Sequence, residues 1–381
     1  MTSNKINLPA PIYVQDQAVF NRVVDQLSLE TILAVDTEAN SLYAYQEQVC
    51  LIQISTREQD YILDPLTISD LSPLGKVFSN PEIEKIFHAS EYDILIIYED
   101  LKFEFQNLFD TMIAAQILGR KKLGLDSLLE EFYGVKVNKK FQRANWGKRP
   151  LTEEMIHYAQ MDTHFLIGIR EHLARELEES RLQPIAAEDF ILASQAHRVE
   201  RQEKIPPCWR LNGARNLPPQ KAAVLQQLSI FRDQTAQRLD KPLFKVLNKK
   251  TLLALAEACP TNRTQLRKLN LNHQKSVEHY ADEILKAVQI GLKSDPIHPP
   301  TTSRPDNGYL AREKALKSWR KNRARKMNVN SAVVLPKNLL NDVARENPLS
   351  LSELEDLLQG VPWRFQQFGE EIFQTLTRVQ Y

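Results

Sequence analysis

The chain has 381 residues, of which 43% are apolar and 25% charged, and a formal net charge of +1. That length supports two or three domains with a real core in each. No apolar run nears the roughly 20 residues a bilayer span needs, and MTSNKINLPAP lacks the form of a secretory signal. Three scattered cysteines (Cys50, Cys208, Cys259) suit a reducing cytoplasm better than a disulfide frame. The small net charge hides a polarity. Residues 1–190 hold 18 Lys and Arg against 30 Asp and Glu (−12), and residues 191–381 hold 31 against 18 (+13). One half is acidic and the other basic, which pairs a metal or catalytic body with an anion-gripping one.

In chain order, strands are expected at 31–38, 49–56 and 60–65, close enough for an antiparallel meander, and again at 85–90. Helical patterns follow at 92–100, 111–118, 123–132 and 152–179. Strands first, then strand–helix alternation, suit one mixed sheet with helices packed on it.

Asp36 and Glu38 interrupt the first strand two residues apart, so both point to one face. Like charges in a low-dielectric setting are costly unless a cation lies between them. Either the chain turns into solvent there or the pair holds a metal. Asp93 opens an apolar helix after a buried strand. Asp162 falls on a stripe with Tyr158, Leu166, Ile169, Leu173 and Leu177, spaced as a helix core face. Asp110 reads as a helix cap accepting from Met112 or Ile113 N–H.

Beyond residue 205 the chain reads as helical with proline punctuation, and 293–308 has a linker's composition. The segments on either side match at a constant offset of 88. It pairs Phe231 with Trp319, Arg232 with Arg320, Leu252 with Leu340, Ala256 with Ala344, Pro260 with Pro348, and Ile284 with Ile372. This is a tandem helical repeat. In the second copy, residues 311–326 carry eight Lys or Arg against one acid, a pattern suited to phosphate contact.

VDTEANS, FHASEYDI and YAQMD resemble the three motifs of the DEDD superfamily of 3′-5′ exonucleases, and their details are most similar to the RNase D family. The repeat resembles two helicase-and-RNase-D C-terminal (HRDC) domains. Ala144-Asn145-Trp146 departs from the family's more frequent Ser-Asp-Trp. The resemblance implies an RNase H-like exonuclease domain at 1–200, HRDC bundles at 205–294 and 309–381, and a linker at 295–308. It implies Asp36, Glu38, Asp93 and Asp162 as ligands of two divalent metal ions (Mg²⁺ or Mn²⁺), and Tyr158 as the residue orienting the attacking water.

His157 offers the alternative subclass residue. On a helix, however, four residues bring Tyr158 within about 40° of Asp162, while five put His157 about 140° away. His88, Arg143 and Trp146 are candidates for RNA contact or for packing. The expected activity is hydrolysis of RNA from a free 3′ end, as in tRNA precursors, in the cytoplasm and without an obligate protein partner. The rival readings are a DNA-directed exonuclease and a non-catalytic RNA-binding protein.

Overall fold

A computed structural model describes residues 8–195, 207–269, 271, 274–300 and 306–379. The expected domain boundaries at 200 and 205 lie outside these residues. The chain divides into two compact units: residues 1–39, 49–199 and 304–381, and residues 40–48 with 200–303.

The first unit opens with β1 (Ile12–Val14), α1 (Gln17–Leu27), β2 (Ile32–Ala39), β3 (Val49–Ser55), β4 (Asp60–Leu63) and α2 (Ser72–Phe78). Then come β5 (Glu84–Phe87), α3 (Glu91–Leu101), β6 (Leu108–Asp110), α4 (Thr111–Ile117), α5 (Leu125–Tyr133), α6 (Glu153–His164), α7 (Leu166–Glu179) and α8 (Gln183–Ser194). The strands form one mixed sheet in the order β1-β4-β3-β2-β5-β6. The meander β2-β3-β4 is antiparallel, while β1, β5 and β6 pair parallel to their neighbours. β3 is buried along its whole length, as a central strand covered on both faces must be.

Two expectations need correction. The helical pattern at 152–179 is two helices, with Phe165 (φ −97°, ψ −6°) between α6 and α7. Apolar spacing carries across such a break, because only the direction of the axis changes. The buried residues of α6 are accordingly Ala159, Gln160, Met161 and Thr163, while Tyr158 and Asp162 are half-buried beside them. The strand expected at 85–90 stops at Phe87. Strands β1 and β6 span three residues each, too few to show a period.

The second repeat belongs to this first unit. It comprises α15 (Asn307–Met327), α16 (Ser331–Val334), α17 (Lys337–Glu346), α18 (Leu351–Leu357) and α19 (Pro362–Thr377). The first repeat, in the second unit, comprises α9 (Pro219–Arg238), α10 (Leu243–Val246), α11 (Lys249–Ala258), α12 (Arg263–Lys268), α13 (Gln274–His279) and α14 (Ala281–Lys293).

The offset of 88 holds in the structure down to the helix ends. Cys259 and Asn347 both end a helix in the left-handed region (φ 46° and 48°), and Asn262 and Ser350 both cap the next helix with a side-chain oxygen. One difference is large. Gly291 lets α14 approach α9 so closely that a Cβ there would lie 2.4 Å from Val224 Cα, whereas the matching position is Val379.

The charge of residues 311–326 is partly consumed by the fold. Arg312 donates to Ala344 O (2.7 Å), Arg320 to Leu335 O (2.8 Å), and Arg323 pairs with Glu371 (3.2 Å). Lys314, Lys317, Lys321, Arg325 and Lys326 are exposed.

In the second unit, residues 40–48 pack with the first repeat. Tyr45 N–H donates to Asp240 (3.0 Å), its hydroxyl to Asp233 (3.1 Å), and Lys245 Nζ lies 4.4 Å over the Tyr43 ring. The chain connecting β2 to β3 therefore belongs to the repeat's unit, although its sequence position lies within 1–200.

The second repeat is anchored to α8. Val333 joins the exonuclease core, and Met327, Val329 and Trp363 pack against it. Fully buried Arg364 reaches Glu188 (2.9 Å), Asp189 (2.9 Å) and Val333 O (2.9 Å), while Glu188 also accepts from Trp363 N–H at the start of α19. The equivalent position in the first repeat is Ser276, which cannot make this anchor. Arg364→Ala would leave two carboxylates without their cation, so it should cost about 3–5 kcal/mol of stability, read by urea unfolding. A loss below about 1 kcal/mol would show that the anchor is dispensable.

Candidate active site

β2 runs beside β5 only as far as Ala34, which pairs with Ile86, and then continues past the end of β5 against β3 alone. Asp36 and Glu38 sit on that extension. The crevice beyond the carboxyl ends of parallel strands is where α/β sheets place their ligands. Strand alternation turns both carboxylates to the face that α6 covers.

Asp93 comes near that pair by another route, although its carboxylate lies outside the tight group formed by Asp36, Glu38 and Asp162. Between β5 and α3 the chain turns sharply at Ala89, whose φ of 65° is strained for a residue with a Cβ. The Asp110 carboxylate holds that turn, accepting from Ala89 N–H (3.1 Å) and Ser90 N–H (2.7 Å). It also caps α4, accepting from Met112 (2.8 Å) and Ile113 (3.1 Å), as the sequence indicated. With four donors, Asp110 is engaged in the turn and the cap. Asp93 follows in the first turn of α3, buried, and accepts a hydrogen bond from the Thr37 hydroxyl.

α6 supplies Tyr158 and Asp162. A buried polar network fixes this helix on the sheet. Asp60 of β4 bonds His164 (2.8 Å) and Gln160 (2.6 Å), and Ser55 Oγ lies 2.6 Å from Asp60 and 2.7 Å from Thr163 Oγ1. Burial opposes the charge on Asp60, but bonds from His164, Ser55 and Gln160 hold its carboxyl below the usual range.

Oxygens of Asp36, Glu38 and Asp162 lie within 4.8 Å of one another. Burial, then the charges of Asp93, Asp162 and Glu38, push Asp36 well above the ordinary carboxylate range. Burial with Asp162 and Asp93 pushes Glu38 up to about 9. Burial, relieved in part by Thr37, pushes Asp93 up to about 7, and burial with Asp93 pushes Asp162 up to about 7. Their mutual repulsion and burial set up a demand for positive charge, and oxygen-only donors suit a hard divalent cation. The residues fit such an ion.

The Tyr158 ring lies between Phe141 and Trp146, with centroids 5.8 and 6.1 Å away. Burial and the charges of Asp162, Glu38 and Asp36 hold its phenol far above the ordinary value, so the hydroxyl keeps its proton. Trp146 is therefore a packing residue, buried with Leu51, Ile62 and Ala159. Its loop is tied down by Arg149, which grips Asp64 through two bonds of 2.6 Å and also donates to Trp146 O (2.6 Å). This clamp escaped sequence reasoning, since Asp64 and Arg149 are 85 residues apart. His88 bonds Thr111 (2.9 Å) in the strand-to-helix turn, Arg143 is exposed, and His157 is half-buried.

All four carboxyls bind protons more tightly folded than unfolded. Between about pH 4 and pH 9 the cluster thus holds more protons folded than unfolded, and its contribution to stability falls as pH rises. In chelator, the melting temperature should drop from pH 5 to pH 9, and Asp36→Asn should flatten that slope and raise stability at pH 8. A parallel slope in the variant would mean the cluster is not its source.

A family model for 3′-5′ exonucleases matches residues 11–178, and one for the HRDC domain matches 221–288 and 310–376. The chain is 34% identical over 267 residues to the exosome complex exonuclease RRP6 of Saccharomyces cerevisiae, covering 66% of this chain and 36% of that one. It thus spans about a third of the length of that relative. It is 26% identical to the ribonuclease D of Pseudomonas paraeruginosa, over 97% of this chain and 99% of the relative. The crystal structure of Escherichia coli RNase D, described as an exoribonuclease involved in structured RNA processing, superposes with a TM-score of 0.72 at 26% identity. That match covers 99% of this chain and 100% of the other. The chain thus carries one 3′-5′ exonuclease domain followed by two HRDC domains, and over nearly its whole length it is similar to ribonuclease D.

Proposed function

We propose that this protein hydrolyses RNA from its 3′ end, releasing nucleoside 5′-monophosphates, with Asp36, Glu38, Asp93 and Asp162 holding two divalent cations, Mg²⁺ or Mn²⁺. The observation that carries this reading is the set of half-buried and buried carboxylates with raised proton affinities on three separate elements. Bound there, hard divalent ions would supply a nucleophilic water at neutral pH and neutralise charge on the leaving 3′ oxygen.

The chain's own residues do the positioning. Thr37 orients the Asp93 carboxylate. Tyr158, one turn before Asp162 on α6, would orient the attacking water through its hydroxyl. Phe141 and Trp146 fix the ring that carries that hydroxyl.

The second repeat supports an RNA substrate longer than the reacting nucleotides. Between α15 and α19 lies a groove of about 470 Å³ whose lining includes Trp319, Lys326 and Arg378, together with the Arg323–Glu371 ion pair. Cations beside polar groups such as Ser318, Asn322 and Thr375 suit a phosphate backbone read without sequence preference. Stable structured RNA, such as a tRNA precursor, is the substrate we infer. Among the described residues, no helix is long and apolar enough to cross a membrane, and the three cysteines are free thiols. A cytoplasmic location is the one we infer, since three scattered cysteines suit a reducing compartment.

A 5′-labelled RNA and a DNA of the same sequence, each with Mg²⁺ or with chelator, test the reading. A ladder shortening from the 3′ end of the RNA only with the ion is expected. No cleavage with any divalent ion would favour a binding protein, and preferred cleavage of the DNA would move the substrate class. Asp36→Asn and Asp162→Asn should abolish cleavage. Tyr158→Phe should slow turnover by roughly 10²-fold, the scale for losing a group that positions the nucleophile, while His157→Ala should be mild. The reverse ranking of Tyr158 and His157 would reassign the water-orienting role.

A further inference from the structure

The face of the sheet beneath α6 is specified by register. Leu51, Gln53 and Ser55 of β3 lie opposite Glu38, Asp36 and Ala34 of β2, and Gln53 also lies opposite Ile62 of β4. Leu51 and Ile62 pack with Ala159 of α6, and Ser55 touches Thr163 of the same helix. Gln53 therefore lies under the turn of α6 that carries Asp162. Directly opposed residues of an antiparallel pair have Cβ atoms about 4.5–5.5 Å apart, which puts its side chain next to Asp36.

Gln53 is fully buried, yet neither its Nε2 nor its Oε1 has a hydrogen-bond partner among the described residues. Buried amides without partners are rare and costly, and such a group in a native fold calls for an explanation. Packing does not supply one. Leu51 and Ile62 on this face are apolar and need no amide, and its polar neighbours there, Asp36 and Ser55, make no bond to it. Nor does the amide brace α6, because Ser55, Asp60, Gln160 and His164 do that with good geometry.

We infer that Gln53 is a positioning residue for the carboxylate cluster: its amide N–H donates to the Asp36 carboxylate when that carboxylate binds a divalent cation, fixing which oxygen faces the ion. The inference rests on the reading of the cluster as a cation site. Ligand carboxylates are themselves held by hydrogen bonds from surrounding groups, and losing one such partner typically weakens metal affinity by about 10–100-fold.

The test compares the full chain with Gln53→Met and Gln53→Leu, both apolar and of similar length. Mn²⁺ binding is measured by calorimetry without RNA, and the melting temperature is measured in chelator. The expected result is an unchanged or raised melting temperature together with Mn²⁺ binding weakened about tenfold or more. Gln53→Asn, which keeps a shorter donor, should bind with an intermediate affinity. Unchanged Mn²⁺ affinity in a folded apolar variant would overturn the inference. So would a lowered melting temperature, or failure of both apolar variants to fold, because the amide would then serve the fold itself. If the parent chain binds no divalent cation, the cation-site reading falls, and this inference falls with it.

Discussion

Four carboxyls that repel one another must be kept near one another with no oppositely charged side chain among them in the described residues, and most of the exonuclease domain answers to that constraint. Asp36 and Glu38 come from a strand that outruns its parallel neighbour, Asp93 from the first turn of a helix, and Asp162 from a helix laid across the sheet. Left to itself, such a cluster would move apart or keep its protons. Burial and mutual repulsion accordingly raise the proton affinity of all four. Holding the carboxyls in place falls to neutral or already paired groups: the Thr37 hydroxyl, the Asp110 clamp on the Ala89 turn, and the network around Asp60. Asp110 and Asp60 are acids near the cluster that are themselves fully engaged by hydrogen bonds. That separates structural acids from the candidate ligands by what each one accepts.

The two repeats show how one helical design is put to different uses. Their helix ends coincide at an offset of 88, because caps and left-handed terminators are local and each copy keeps them. Beyond the shared frame they diverge. Gly291 lets α9 and α14 close on each other, whereas the second copy has Val379 at that position and a basic groove between α15 and α19. Arg364, with Ser276 as its counterpart, binds the second copy to α8 through a buried ion pair, and Tyr45 ties the β2–β3 connection to the first. The second copy therefore packs against the exonuclease core, so removing it would also strip that domain of packing partners.

Several things were decided by the sequence alone. Asp36 and Glu38 share a face because strand side chains alternate, Asp110 caps because a short acceptor precedes a helix, and the repeat shows because an offset needs no structure to be seen. Helix geometry also put Tyr158, and not His157, on the side of Asp162. These are all local properties, fixed by the few residues on either side. Tertiary structure decided what depends on neighbours distant in the chain. It ended the helix at Phe165 despite a continuous apolar stripe, and it spent Arg312, Arg320 and Arg323 on backbone and acid partners inside a stretch that reads as a phosphate-binding face. It also turned Trp146 into packing for Tyr158 and left Gln53 buried beside Asp36 with its amide unpaired. Charge, periodicity and caps are written along the chain, but which side chains meet across 50 to 180 residues is set only when the sheet closes and α6 is laid over it.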